Sequence, residues 1–570
     1  MKFTFRNYFI SFRILSILLL IGLITGYYQN ARGQGSQHTR FEISFSQNLH
    51  KKAITGRVFV FITKSNKREP RMQAGSWSNS VPFYGVDVNQ LRPGQQAVIT
   101  DTTLGFPVTH LDKIPAGDYY IQALLNVYTK FHRSDGHIIW AHMDQWEGQH
   151  FQFSPGNLIS KVEKVHLDPQ KGFDIKLQLQ KVIPPIKMPG NTKWVKHIKI
   201  QSKMLTKFWG HPIYLGATVL LPKGYSSHPK THYPVVFVQG HFSLRAPYGF
   251  TTQKTKRPYT SRYHRESGYK FYQEWISANF PRMIVVTFQH PTPYFDDSYA
   301  VNSANNGPYG DAIMHELIPY LENNYRMIRK PYARVLTGGS TGGWESLALQ
   351  VYHPKFFGGT WTMYPDPVDF RSYDMVNIYK DDNAFYAPGY GWMKPTRYIM
   401  RLSDGQPFVS EKQFSELESV LGTHGRSCQQ LEAWESVFGP VGKNGYPKPL
   451  WNKRSGKIDH NIAMYFRKHN YDLRYYLQQN WQKIGPDLVG KIHLFVGDMD
   501  NYYLNLAVYR LEDFLKNTSD PYYEGGFSFG RPKMGHGWQP TSNEGMLKMM
   551  ARHIKDHAPA DADTSSWNYK

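Results

Sequence analysis

The residues best placed for chemistry are a serine framed by glycines, Gly338-Gly339-Ser340-Thr341-Gly342, set directly behind the apolar run Ala333-Arg334-Val335-Leu336-Thr337. A serine hydroxyl is a useful nucleophile only when a base takes its proton and an acid orients that base. A short strand, a glycine-framed serine and a helix-forming stretch from Trp344 to Gln350 make the layout of a nucleophile elbow. Glycine two before and two after removes side chains that would clash in so tight a turn, and the hydroxyl is left at a helix N-terminus. Further along, Lys491-Ile492-His493-Leu494-Phe495-Val496 reads as a buried strand running into Gly497-Asp498-Met499-Asp500. Asp500, fourth in that turn, is the preferred acid, with Asp498 as its alternative. Asp366, just past the strand pattern Thr360 to Tyr364, is a third candidate, although turn formation between Pro365 and Pro367 also accounts for it. The base candidate is His536, in Met534-Gly535-His536-Gly537-Trp538 ahead of a helical stretch from Asn543 to His557. Asp500 lies 160 residues after Ser340 and His536 a further 36. The first gap leaves room for an insert; the second suits one helix between the last two strands.

These segments, with Gly307 to Met327 (GPYGDAIMHELIPYLENNYRM), resemble the putative-esterase family of α/β-hydrolases, which includes esterase D, feruloyl esterases and enterochelin-type esterases. The resemblance spans roughly Lys193 to Asp556. It implies an α/β-hydrolase fold, ester hydrolysis without a cofactor, and a triad of Ser340, Asp500 and His536. One oxyanion donor is then the N–H of Thr341, the residue after the nucleophile. The second donor falls near Gly240 to Phe242, with His241 as the candidate, but the family's usual His-Gly order is reversed here to Gly240-His241. In that family the stretch Asn305 to Tyr309 lies near the active site, so Tyr309 is a candidate substrate contact, a plain helix-entry turn being the other reading.

The elements that must hold these residues fall into two parts. From Phe41 to about Gln180, short alternating runs such as Gly56 to Thr63, Asp118 to Tyr128 and Phe173 to Gln180 are separated by turn residues, which predicts a β-sandwich over 36–181. Lys181 to Gly190 holds three prolines and reads as a stiff linker, assigned to 182–192. Strands then alternate with helices through 193–560, the pattern of a mostly parallel sheet. An insert over about 369–486 interrupts it, with helical patterns at Glu411 to Leu421, Gln429 to Phe438 and His460 to Gln482. A cap in that place sets specificity, and Trp392 is its candidate sugar-stacking residue. The linker suggests a sandwich that folds separately and docks or positions substrate. Packing of the sandwich against the catalytic part, so that it helps build the site, is the open alternative.

Composition bounds the rest. With 570 residues, 15% of them aromatic, the chain can build more than one core. Lys2, Arg6 and Arg13 precede the apolar run Ile14 to Ile24, the layout of a secretory signal or N-terminal anchor over 1–35, so the protein is expected to be exported to the periplasm or beyond. No later segment is apolar enough to cross a bilayer. The single cysteine, Cys428, excludes an intramolecular disulfide and reads as a plain thiol. A net charge of +23 favours anionic partners, yet basic residues are dispersed and no nucleic-acid motif is present. His132, His137, His142 and His150 gather near Asp144 and Glu147, but without ligand spacing on one face, so no metal is expected. The resulting expectation is an exported serine esterase acting on acyl groups, including those of acylated or acidic polysaccharide. A serine peptidase on the same fold and a non-catalytic glycan-binding protein are the competing readings.

Overall fold

The computed structural model describes residues 38–256, 263–264, 266–389 and 391–569. The signal or anchor segment expected over 1–35 lies outside them. Among the described residues no helix is long and apolar enough to cross a membrane.

The catalytic part is built on eight strands: β1 (Val195–Ser202), β2 (Ile213–Leu220), β3 (Val235–Gln239), β4 (Ile284–Gln289), β5 (Arg334–Ser340), β6 (Gly359–Pro365), β7 (Ile492–Gly497) and β8 (Gly526–Gly530). Their order across the sheet is β1-β2-β4-β3-β5-β6-β7-β8. β2 runs antiparallel to both neighbours, and every pair from β4 through β8 is parallel. This is the α/β-hydrolase fold. Helices cover both faces, so the central strands can be apolar throughout; Val235, Val236, Phe237, Val285, Val335 and Leu336 are all fully buried. Helix α1 (Thr341–Tyr352) starts directly from the end of β5.

Between β6 and β7 lies the insert, with helices α2 (Glu411–Leu421), α3 (Gln430–Phe438), α4 (His460–Lys468) and α5 (Leu473–Ile484) and a hairpin of Tyr398–Arg401 with Pro407–Ser410. The pattern His460 to Gln482 is two helices, not one. Asn470 adopts φ 69° and the Asp472 side chain caps the next helix at Tyr475 N–H, so the chain is turned between them. Helices α6 (Asn505–Lys516) and α7 (Asn543–Asp556) complete the catalytic part.

The N-terminal part is one nine-stranded sheet folded over on itself. Ala97–Thr100, Thr39–Phe45 and Phe173–Val182 form one layer, and Gly117–Val127, Ile54–Thr63, Phe83–Leu91 and Gly105–Phe106 the other. Leu158–Ser160 joins them, and Glu163–Leu167 pairs on Gly117–Val127. Phe41, Ile43, Ile99 and Leu177 of the first layer share a core with Val58, Val60, Ile121 and Leu125 of the second, so the arrangement is a β-sandwich.

This sandwich does not stand apart from the catalytic part, and the open alternative holds. All ten residues of Ile54–Thr63 are buried because that strand has a partner on each face. Its Phe59 and Phe61 pack with Leu417, Val420 and Leu421 of α2. The buried Arg57 donates to Val420 O at 2.8 Å and to Asp87 at 2.6 Å, and Arg426 meets the same Asp87 at 2.9 Å. A hairpin of Thr129–His132 and Ile138–Ala141 leaves the sandwich and buries Phe131 and Ile139 in the catalytic core beside Trp209.

Candidate active site

Ser340 ends β5 with φ 59° and ψ −124°, a conformation that costs a non-glycine residue about 1–3 kcal/mol and persists only where its surroundings impose it. The glycines let those surroundings close in. A Cβ on Gly338 would lie 2.2 Å from Gly342 O, and one on Gly342 would lie 2.1 Å from Gln239 O. The elbow is thereby wedged against the end of β3, where Gly240 and His241 follow. Since α1 begins at Thr341, its amide is among those a helix leaves unbonded at its start.

The structure brings His536 and Asp500 together. His536 Nδ1 lies 2.9 Å from Asp500 Oδ2, and Asp500 is fully buried. The other oxygen, Oδ1, accepts from Tyr502 N at 2.9 Å, so the carboxylate is fixed at both ends. His536 N–H donates to Asn501 Oδ1 at 2.9 Å, Asn501 donates to Arg401 O at 2.7 Å, and Arg401 Nε donates back to Asp500 O at 3.0 Å. The hairpin of the insert thus braces the acid–base pair. Tyr364 and Tyr502 set their rings edge-on to the imidazole at 4.7 and 4.8 Å. Asp498 turns away and accepts from Met534 N.

Asp366, the third candidate acid, meets Ser340 and not the imidazole. Its Oδ1 accepts from Ser340 Oγ at 3.4 Å, and its Oδ2 accepts from Tyr299 OH at 2.6 Å, Thr341 Oγ1 at 3.0 Å and Gln430 Nε2 at 3.1 Å. Burial pushes this carboxyl above its ordinary range, partly offset by those donors. Trp434 Nε1 donates to the same Tyr299 hydroxyl at 2.5 Å, which ties α3 to the surroundings of Ser340.

Ser340 and His536 open onto one cleft of about 720 Å³. Its walls come from three parts of the chain: Trp77 and Gln149 to Gln152 of the sandwich, Cys428 to Gln430 and Trp434 of the insert, and His241, Phe242 and Phe295 of the catalytic sheet. Asp296, Asp366 and Asp374 line it, and among the described lining residues there is no lysine or arginine. Asp374 is itself buried, and both burial and the neighbouring Glu411 hold its carboxyl well above the usual range.

Two expected substrate contacts do not reach this cleft. Tyr309 is fully buried in the catalytic core with its hydroxyl on Pro291 O at 2.6 Å, because the turn before its helix is packed inward. Trp392 projects entirely into solvent, away from the cleft lining. The histidine and acid cluster of the sandwich has a structural task instead. His142 Nε2 meets Glu147 at 2.9 Å, while Asp144 accepts from Trp146 N at 2.8 Å and Gln149 N at 2.7 Å. These bonds hold Trp146 and Gln149 at positive φ and deliver Gln149 to Gln152 to the cleft. The cluster was the sequence signal for that wall. Cys428 also lines the cleft, but burial pushes its thiol pKa up, so it stays protonated.

Among the described residues, two groups of side chains could be considered for a cation, His241–Asp296–Asp297 and His290–Asp297–Glu345, the polar atoms within each lying no more than 4.8 Å apart. His290 Nδ1 accepts from Ser298 N–H at 3.0 Å, so the proton of the neutral ring sits on Nε2, the atom facing Glu345. That ring offers no lone pair to a metal. His241 Nδ1 is 3.1 Å from Asp296 and 3.4 Å from Asp297, ordinary distances for an imidazole between two carboxylates.

Residues 214–389, which carry the elbow, match the family model described as Putative esterase. This stretch is an esterase domain. The chain is therefore an ester-hydrolysing enzyme with an α/β-hydrolase fold. No curated protein matches it in sequence. Among solved structures, a ferulic acid esterase is similar at 15% identity and a TM-score of 0.37, covering 63% of this chain and 99% of that one. An S-formylglutathione hydrolase from Agrobacterium tumefaciens is similar at 12% and 0.32, covering 64% and 95%. The fluorophosphonate-binding serine hydrolase F of Staphylococcus aureus is similar at 12% and 0.31, covering 63% and 98%.

Proposed function

We propose that this esterase is an exported serine hydrolase whose triad is Ser340, His536 and Asp500, and that it removes neutral acyl groups from a polysaccharide. The observation that carries the triad is the 2.9 Å contact of His536 Nδ1 with the buried Asp500, on the same cleft as the strained Ser340. Rotation of the serine side chain takes Oγ from Asp366 toward His536. His536 accepts the hydroxyl proton as Oγ attacks the ester carbonyl, and Asp500 stabilises the imidazolium without taking its proton. Thr341 N–H meets the developing oxyanion. His536 then protonates the leaving alcohol and activates the water that releases the acid.

The polymer reading is supported by the cleft and the charge together. Aromatic faces at Trp77, Phe242, Trp434 and Tyr502 suit a flat or glycosidic group, and among the described lining residues no lysine or arginine offers a fork to a bound carboxylate. Any attraction to an acidic polymer therefore comes from the outer surface, where the net charge of +23 acts. Export rests on the basic and then apolar segment at the N-terminus. A serine-directed fluorophosphonate probe tests the chemistry, since only an activated serine is labelled. The intact protein should label at Ser340, and Ser340→Ala should abolish labelling and lower ester turnover by on the order of 10⁶-fold. Full activity in Ser340→Ala would overturn the reading, and a panel of acetylated, feruloylated and methyl-glucuronoyl glycans identifies the acyl group.

A further inference from the structure

We propose that the His241 side chain is itself a catalytic residue, donating a hydrogen bond from Nε2 to the substrate's developing oxyanion while Asp296 and Asp297 clamp its other nitrogen. The inference rests on the triad reading above and adds to it a charged donor from the side chain.

Placement is the first argument. β3 and β5 are neighbours with Gln239 opposite Gly338, so His241, two residues past the end of β3, leaves the sheet beside the elbow. Gly342, in the first turn of α1, packs directly on Gln239 and Gly240. His241 and Ser340 line the same cleft. In a fold of this kind the second oxyanion donor comes from the chain leaving the strand next to the nucleophile.

The second argument is how the ring is held. Nδ1 sits 3.1 Å from Asp296 Oδ1 and 3.4 Å from Asp297 Oδ2, so that nitrogen carries a proton pointed at carboxylates. Phe295 supports the ring edge-on at 5.7 Å. About half of the side chain is exposed to the cleft, and among the described residues no hydrogen bond reaches Nε2. The ring therefore has one clamped nitrogen and one offered to a ligand.

Charge is the third. Burial opposes an imidazolium at this place, but Asp296 and Asp297 prevail and hold the His241 pKa well above its ordinary value. Behind them the polar atoms of Asp297, the fully buried Glu345 of α1 and His290 at the C-terminal end of β4 lie within 4.8 Å of one another, and among the described residues Glu345 Oε1, Glu345 Oε2 and His290 Nε2 find no hydrogen-bond partner. Burial holds the Glu345 carboxyl well above its ordinary range and the His290 imidazole below its own. Across the same cleft stand Asp366, Asp374, His150 and His536, and among the described lining residues there is no lysine or arginine. His241 is thus the cation that offsets Asp296 and Asp297, and a charged donor stabilises an oxyanion more strongly than a neutral amide does. It keeps its proton throughout the cycle, and His536 alone moves protons.

The test is the pH dependence of kcat and KM on a small neutral ester, run beside fluorophosphonate labelling and thermal melting. Loss of labelling in the unsubstituted enzyme would count against the triad reading; the His241 outcomes below are read on enzyme that labels. His241→Gln should lower kcat by about 10²–10³-fold with little change in KM and slow labelling by a similar factor. The intact enzyme should lose activity at alkaline pH as His241 deprotonates, and that limb should vanish in His241→Gln. Asp296→Asn removes one carboxylate from a ring that otherwise remains, so it should move the alkaline limb to lower pH by about one unit. If His241→Gln does not fold, the Asp296→Asn shift alone decides. An alkaline limb that neither variant moves, or a loss confined to KM, would overturn the proposal. So would activity removed by a chelator and restored by a divalent cation, which would make the trio a metal site.

Discussion

At the residue scale, the acid is the assignment most open to a direct challenge, because three carboxylates lie near the end of the sheet. Asp500 bonds His536, Asp498 bonds a backbone amide of the following loop, and Asp366 bonds the nucleophile. Asp500→Asn should leave binding nearly intact and lower turnover by about 10⁴-fold, because the imidazole loses the partner that fixes its tautomer. Asp498→Asn keeps an acceptor for Met534 N–H and should be mild. A steady-state comparison of the two variants checks this, and the reverse ranking would mean that the wrong carboxylate is assigned. The sequence could place Ser340 at a strand–helix turn and bring Asp500 and His536 to one end of the sheet, because each stands in a short motif whose local conformation is set nearby. Tyr309 and Trp392 could not. Whether an aromatic side chain meets a cleft, a core or solvent is settled by what packs on it from elsewhere: the inward turn buries Tyr309, and nothing covers Trp392. His241 stood between these cases: Gly240-His241 put it past the end of β3, while Asp296 and Asp297, 55 and 56 positions on, which hold its pKa above the ordinary value, could not be matched to it from the chain.

At the scale of elements, the elbow depends on backbones that touch. Gly342→Ala keeps a good helix former in α1, and propensity alone would make the change favourable by about 1 kcal/mol. The new Cβ, however, would meet Gln239 O at 2.1 Å and Gly240 N at 2.7 Å, both main-chain atoms that cannot rotate away. The expected outcome is a loss of about 2–4 kcal/mol and a displaced β3 end, read as a lower melting temperature and weaker labelling of Ser340. A melting temperature raised by the alanine would show that this contact is not what requires glycine. The strands at Ala333 to Thr337, Thr360 to Tyr364 and Lys491 to Val496 were legible because they are largely apolar or β-branched runs beside turn residues. β8 was not, since Gly526-Phe527-Ser528-Phe529-Gly530 has two glycines in five residues and takes its conformation from β7 alongside. The α4–α5 break was hidden for a related reason: the helical pattern continues through it, and only the Asn470 turn and the Asp472 cap interrupt the backbone.

At the scale of the whole molecule, the sandwich and the catalytic part share one site. The proline stretch after Val182 suggested a tether, and proline content does describe how the chain crosses to β1; it says nothing about the faces on either side. Those faces are apolar and interlocked through α2, through the Phe131 hairpin and through Arg57, and Trp77 of the sandwich reaches Tyr502, which itself borders His536. Deleting residues 1–182 should therefore expose Leu417, Val420 and Leu421 and remove the Gln149 to Gln152 wall. The protein left should be insoluble or without activity on small soluble esters as well as on polymers. A finer variant separates fold from site. Arg57→Ala leaves every cleft residue in place but removes the donors to Val420 O and Asp87, and should cost about 2 kcal/mol. Melting temperature should fall while turnover per folded molecule stays the same, and denaturation should remain a single transition for both parts. A truncated protein with full small-ester activity, or two separate transitions in the intact one, would show that the sandwich is an independent module after all. The apolar contact between Phe59, Phe61 and α2 argues against that, because neither face has anything else to cover it.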